Sequence, residues 1–353
     1  MLLDLSYLSY PLPPDIQRLY EAGDFARMDR VIRLRLDDPR VPETLKARLR
    51  VQTELAYEIL RAYPYTQAQM LEILQSHVKD FEEEELETLR DDGTLDWRYV
   101  NGEVRFKDNA LSGLLKTRAE YAARATDPEV KNGAKESARQ LHEIIAKMKA
   151  NGGVHARFEL HEQLTIRSDR LTPGETLRVH LPMPIVGAQV KSAALLGASH
   201  PVAFLAPEDE PQRTIYFELP YQPGMTVSAD VAYEIDAPYQ QPHARDVYAE
   251  QPVFDTEEQP PHVVFTPYLR ALAKEIVGDE TNALLKARKI YDFITTQAVY
   301  RFMPPYLTVT NIPEYFLSGL RGDCGVQAIT FVTLCRLCGV PAQWQSGLYT
   351  KPN

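Results

Sequence analysis

Three cysteines, Cys324, Cys335 and Cys338, are the residues of this 353-residue chain best suited to covalent chemistry, and all three lie in its last thirty residues. In Arg321-Gly322-Asp323-Cys324-Gly325-Val326-Gln327, Gly322 permits a tight loop and Asp323 can cap a helix by accepting a backbone N–H. Cys324 then falls in the first helical turn. Ala328, Phe331, Val332 and Cys335 follow on one face. Gly339 stands where a left-handed C-cap belongs, and Pro341 blocks continuation. The segment predicts one helix of about four turns with a cysteine at its N-terminal end. Unpaired N–H groups and the macrodipole place positive potential at such an end, which favours thiolate over thiol. The same N–H groups can donate to the oxyanion formed when a thiolate attacks a carbonyl.

The other two cysteines lack that setting. Cys335-Arg336-Leu337-Cys338 has the spacing of a redox or metal motif but sits at the end of the helix, away from its electropositive start. No second cysteine pair exists to complete a zinc site. Cys324 and Cys335 are about 16 Å apart along a helix axis, too far to bridge. Both Cys335 and Cys338 therefore read as packing residues. An odd cysteine count argues against a disulfide framework and fits a reducing compartment. The eight histidines (77, 142, 155, 161, 180, 200, 243 and 262) all precede Cys324, and neither His nor Asp follows it. His155 and His161 share a strand face but lie about 20 Å apart, so they cannot share one metal. No metal and no cofactor is expected.

The elements that must position Cys324 show in the proline distribution. Of 26 prolines, 14 lie between Pro173 and Pro267, while Pro128 is the only one between Pro64 and Pro173. Proline breaks helix interiors, so the proline-poor stretch should be helical and the rich one strands and turns. The fold expected is α+β and multidomain. Residues 1–150 read as mainly helical, with Ile16, Leu19, Tyr20, then Phe25, Met28, Ile32, then Leu45, Leu49, Leu55, Ile59, then Met70, Leu71, Leu74 at helical spacing. Glu82–Glu85 reads as a solvated helix start. Trp97–Phe106 carries Asn101-Gly102 and predicts a hairpin with a type I′ turn. Helix is expected again over about 110–149, ending at Asn151-Gly152-Gly153. Residues 154–236, with short alternating strands between turn dipeptides, predict a small β-sandwich. Residues 237–262 are a polar, proline-rich linker, and 263–353 is again helical before the cysteine segment.

Composition narrows the function. With 39 Lys+Arg against 49 Asp+Glu the net charge is −10, which argues against a nucleic-acid binder. A hydrophobic fraction of 44% and a charged fraction of 25% exclude disorder over the whole length. No apolar run is long enough for a membrane span. No basic region precedes the apolar residues at the N-terminus, so no signal peptide is visible and a cytoplasmic protein is expected.

Gly322-Asp323-Cys324-Gly325, then Ala328, Phe331, Leu334-Cys335-Arg336, Gly339-Val340-Pro341-Ala342 and Ser346-Gly347, closely resembles the core of the transglutaminase-like superfamily. Its signature is a cysteine opening a helix, followed by Gly-Ile/Val-Pro-Ala and a strand ending near Gly-Tyr. Phe265-Thr266-Pro267, Ala271-Leu272-Ala273, Ile276-Val277, Ile290-Tyr291-Asp292-Phe293-Ile294 and Tyr300 resemble it too. The resemblance covers about 263–350 and implies a papain-like core with Cys324 as nucleophile of a Cys-His-Asp triad. It also implies that Tyr300 could donate to the oxyanion. Trp344, on an expected strand Gln343–Tyr349, could line the cleft or pack in the core. The triad His and Asp follow the cysteine in the family, so this chain is expected to be truncated after the nucleophile helix and following strand, and inactive as a fragment.

The function expected of the complete protein is a cysteine enzyme acting on peptide or carboxamide bonds through a Cys324 thioester. Hydrolysis would make it a protease or amidase, and transfer to an amine would make it an acyltransferase. Its partner would be a protein or peptide substrate. The alternative is a non-catalytic binding or scaffold protein with a degenerate transglutaminase-like domain.

Overall fold

The apolar periodicities near the N-terminus become helices α1 (Pro14–Glu21), α2 (Phe25–Asp37), α3 (Glu43–Ala62), α4 (Gln67–His77) and α5 (Glu83–Asp91), with the two-residue strand β1 (Tyr65–Thr66) before α4. Local chemistry starts several of them: Asp24 caps α2, and Thr66 with Gln69 forms a capping box on α4. The hairpin is β2 (Trp97–Val100) and β3 (Glu103–Phe106), and β1 adds to β3. Asn101 and Gly102 both take positive φ, 51° and 87°, as a type I′ turn requires. The computed structural model describes residues 4–167, 171–248 and 250–347.

The stretch expected as one helix is three: α6 (Ala110–Thr117), α7 (Ala119–Arg124) and α8 (Pro128–Asn151). Arg118 is extended, and its guanidinium bonds Asp92 at 2.8 Å and Thr94 at 3.0 Å. Pro128 lacks an N–H and so opens a helix instead of continuing one. The strands of the middle region are β4 (Gly153–Thr165), β5 (Thr176–Pro182), β6 (Val190–Ala198), β7 (Phe204–Leu205), β8 (Thr214–Pro220) and β9 (Thr226–Pro238). The last region holds α9 (Pro267–Val277), α10 (Ala283–Gln297), β10 (Val299–Tyr300), α11 (Ile312–Gly319), β11 (Arg321–Gly322) and α12 (Cys324–Leu337). The fold is α+β. Strand β6, rich in small residues, and the short α11 had no strong sequence signal.

Two compact units divide the chain: Met1–Lys135 with His243–Gln343, and Glu136–Pro242 with Trp344–Asn353. In the first, the N-terminal helices and the cysteine-bearing helices pack together. One core cluster gathers Leu269, Ile290, Ile294, Phe316, Val326 and Leu334. A second gathers Leu74, Leu86, Phe106 and Leu114, and a third Ile16, Met28, Ile32 and Ile59. The segment after His243 folds against the end of α12, where Ala342 N–H donates to Asp255 O at 3.1 Å.

In the second unit, antiparallel sheets β4-β9-β6 and β5-β8-β7 share a core of Val179, Ile215, Phe217, Val227 and Val231. Glu162, on β4 opposite Ala229, departs from that pattern. It is half-buried, and neither carboxylate oxygen has a hydrogen-bond partner among the described residues. Burial pushes its carboxyl up to about 7. A carboxyl raised in the folded state binds more protons folded than unfolded, so stability is lost as pH rises from the unfolded value towards 7. Replacement Glu162→Gln is therefore expected to stabilise this unit by about 1 kcal/mol at pH 8, allowing for solvent screening at a half-exposed site. The gain should shrink at pH 5. Thermal unfolding at the two pH values checks this, and equal gains would contradict it.

Candidate active site

The mount of Cys324 is a buried helix. Asp323 caps α12, its side chain accepting the Val326 N–H at 3.1 Å and its carbonyl the Gln327 N–H at 3.0 Å. The N–H groups of Cys324 and Gly325 belong to the open first turn. Helix α12 is buried almost all round rather than on the single face expected: Val326, Thr330, Thr333 and Leu334 are fully inaccessible. The reason is that α9, α10 and α11 all contact it. Thr330 and Thr333 tolerate burial because each hydroxyl bonds the carbonyl four residues back at 2.8 Å. Cys324 is exposed. An exposed thiol on a rigid mount is what nucleophilic attack needs.

The approach to the cysteine is equally constrained. Strands β10 and β11 pair in parallel, Tyr300 against Gly322. The Gly322 carbonyl accepts from Arg301 N–H at 3.2 Å and from Gln327 Nε2 at 3.1 Å. A Cβ on Gly322 would lie 2.8 Å from Val326 and 2.9 Å from Phe316, so only glycine fits. Tyr300 is thus carried to the loop that leads into Cys324. Lys116 Nζ lies 3.8 Å from the centroid of its ring, and Phe302 meets it edge-on.

Sequence reasoning passed over Tyr306. Its hydroxyl donates to the same Asp323 oxygen that caps the helix. A Cβ on Gly325 would run into that hydroxyl. Burial, then the Asp323 carboxylate, raises the Tyr306 hydroxyl well above its ordinary value, and the Cys324 and Tyr300 charges act in the same direction. Tyr306, Asp323 and Gly325 thus pack together at the turn that Cys324 opens. The glycine at 325 was the only trace in the sequence, since it marks a close approach without naming what approaches.

The strand expected to carry Trp344 requires a correction. It lies in irregular backbone and is 40% exposed. The expected strand Gln343–Tyr349 does not form over residues 343–347, which have no neighbouring strand to pair with among the described residues; Leu348 and Tyr349 lie outside the described residues.

Cys335 is buried and Cys338 half-buried. Burial, helped by the neighbouring Cys338, pushes the Cys335 thiol up to about 12. Burial also raises Cys338, with Lys286 opposing. One equivalent of iodoacetamide should therefore modify the native protein at Cys324 while Cys335 and Cys338 remain unmodified. Peptide mapping checks this, and equally fast labelling of Cys338 would contradict it.

Among the described residues no histidine hydrogen-bonds Cys324, and no group of three potential metal ligands occurs. His262, the histidine nearest to Cys324 in sequence, is half-buried, its Nδ1 has no hydrogen-bond partner among the described residues, and burial lowers its pKa. No helix among them is long and apolar enough to cross a membrane.

Residues 270–353 match the family model of the transglutaminase-like superfamily. A solved structure described as "The Crystal Structure of a Putative Cysteine Protease from Cytophaga hutchinsonii" is similar at a TM-score of 0.38 and 18% sequence identity, over 54% of this chain and 67% of that one. No curated protein matches the chain significantly.

Proposed function

We propose that the chain is a cysteine acyl-transfer protein in which Cys324 attacks a peptide or carboxamide carbonyl. The observation that carries this is the exposed thiol at the first position of a buried helix, beside a cap that Tyr306 and Asp323 fix. The match of residues 270–353 to the transglutaminase-like superfamily supports the same reading.

In the proposed step the Cys324 sulfur forms a bond to the acyl carbon. The open N–H groups of the first turn face the charge that develops on oxygen. The C–N bond breaks, the thiol proton leaves with the amine, and a thioester remains. Water would release an acid from it, and an amine would take the acyl group. The resemblance assigns the proton shuttle to a histidine after the cysteine, and these 353 residues hold none there.

The test therefore reads thioester formation itself. An activated ester such as p-nitrophenyl acetate supplies a good leaving group and dispenses with the proton shuttle. A burst of one equivalent of p-nitrophenolate, with a stable acyl mass increment at Cys324, is expected. Absence of a burst above that of a free small thiol would overturn the proposal and leave the non-catalytic binding reading.

A further inference from the structure

Strand β4 lies at an edge of its sheet, and that edge is open. Among the described residues its one strand partner is β9, in unbroken register over Gly153–Thr165. No loop among them forms a backbone hydrogen bond to its outer side. The N–H and C=O groups on that side are a template for another strand. The opposite edge, β6, is interrupted by two register shifts against β9, the kind of irregularity that spoils further pairing. Strand β4 has no such break, no proline and no lysine.

Its two faces are also uncovered. His155, Arg157, Glu159, His161 and Gln163 are exposed on one. On the other, Phe158 is 37% and Leu164 43% exposed, while Val227, which pairs with Leu164, is fully inaccessible. Phe158 stacks on Tyr233 with ring centroids 5.0 Å apart. Among the described residues, none from β4 belongs to the buried core of the sandwich.

The charges on β4 suit a second copy of itself. Two antiparallel copies related by a twofold axis set one residue opposite its own counterpart at the axis. With the axis at Phe158, Arg157 of each copy faces Glu159 of the other, and the span Gly153–Gln163 is paired. These two side chains are 51% and 66% exposed and meet within the strand at 3.1 Å, so they can exchange partners without leaving water. Arg157 also lies 3.4 Å from Glu234. Moving the axis by one residue opposes Arg157 to Arg157 or Glu159 to Glu159. Moving it to Ala156 shortens the span to Gly153–Glu159. Moving it to Leu160 sets the Glu162 carboxylate against Phe158, and moving it to Glu162 opposes two carboxylates. With the axis at Phe158, Glu162 falls opposite Val154 near the end of the span.

We propose that β4 pairs antiparallel with β4 of a second copy of this chain, Phe158 against Phe158, joining two three-stranded sheets into one of six strands. This arrangement brings the end of α8, which leads into β4 through Gly152, beside the exposed Leu164 of the second copy. Leu141, Ile144 and Ile145 of α8 are exposed too and add apolar surface at that end of the interface. The pairing does not involve Cys324, so it stands or falls independently of the acyl transfer.

The test reads molecular mass by light scattering on the whole chain. Between about 1 μM and about 300 μM the mass should rise from that of one chain to that of two. Arg157→Glu and Glu159→Arg each oppose like charges at two places in the pair, so each should weaken dimerisation about tenfold or more. A one-to-one mixture of the two variants should restore it, because every Arg of one then faces a Glu of the other. Both side chains are exposed, and the unfolding midpoint of each variant is measured to confirm its fold. Should Arg157→Glu not fold, Glu159→Arg decides alone. A single-chain mass up to about 300 μM would leave the edge to a foreign strand and overturn the proposal. A dimer indifferent to both substitutions, or one that mixing does not restore, would be held by another surface such as α8 and would overturn it equally.

Discussion

Cys324→Ala is expected to abolish the ester burst completely and to lower any amide acyl transfer by about a thousandfold or more. The fold should survive. The side chain is exposed at the first position of α12, where alanine is a good helix former and removes no packing. Unfolding free energy should therefore change by less than about 0.5 kcal/mol. Loss of the burst with the unfolding midpoint retained separates chemistry from structure. Cys338→Ser is the matching control. It removes a thiol that burial already disfavours as thiolate, and the burst should persist. A burst that survives Cys324→Ala would place the acylation elsewhere, for example on a surface lysine, and end the nucleophile assignment.

The parts of this site that the sequence reveals are those set by local rules. Asp323 before an apolar run predicts a cap, and Gly339 with Pro341 predicts the end of α12. Both hold, with Asp323 bonding Val326 N–H and Gly339 at φ 75°. Asn101-Gly102 specifies its hairpin for the same reason. What stays hidden depends on residues far apart in sequence. Helix α12 is buried on most of its surface because α9, α10 and α11 pack on it, and no period within Cys324–Leu337 announces that. Tyr306 lies seventeen positions before Asp323, its hydrogen-bond partner, and nothing near it marks a functional tyrosine. A cavity lined by Arg98 and Tyr315 joins parts of the chain that lie far apart in sequence. The 110–149 stretch is helical as its propensity predicts, but it is interrupted where Arg118 turns extended and pairs with Asp92, and again before Pro128.

Arg336→Met should cost the first unit about 3 kcal/mol, the second large effect expected. Arg336 is only 6% exposed. Its Nε donates to Ala342 O at 2.7 Å, one terminal nitrogen to Glu257 O at 3.1 Å, and the other lies 3.6 Å from the Asp255 carboxylate. One guanidinium thus ties two irregular segments to the C-terminal end of α12, where the helix dipole favours a cation. Methionine keeps most of the apolar stem but strands two carbonyls, and a buried pair broken from one side costs about 3–5 kcal/mol. The partial exposure of Asp255 places the value at the lower end. For a unit of this size the midpoint should fall by about 6–12 °C. Lysine should not rescue it, because a single ammonium cannot span three acceptors. Val253 and Phe254 are already 94% and 62% exposed, so proteolysis should speed up there first. Arg288→Met, which loses the exposed pair with Asp292 and an exposed stacking contact with Tyr291, should cost under about 1 kcal/mol. Cys324 lies about 20 Å away at the other end of the helix, so its labelling rate should hold at temperatures where the variant is folded. A drop in stability below about 1 kcal/mol would show that the strap is held by something other than Arg336.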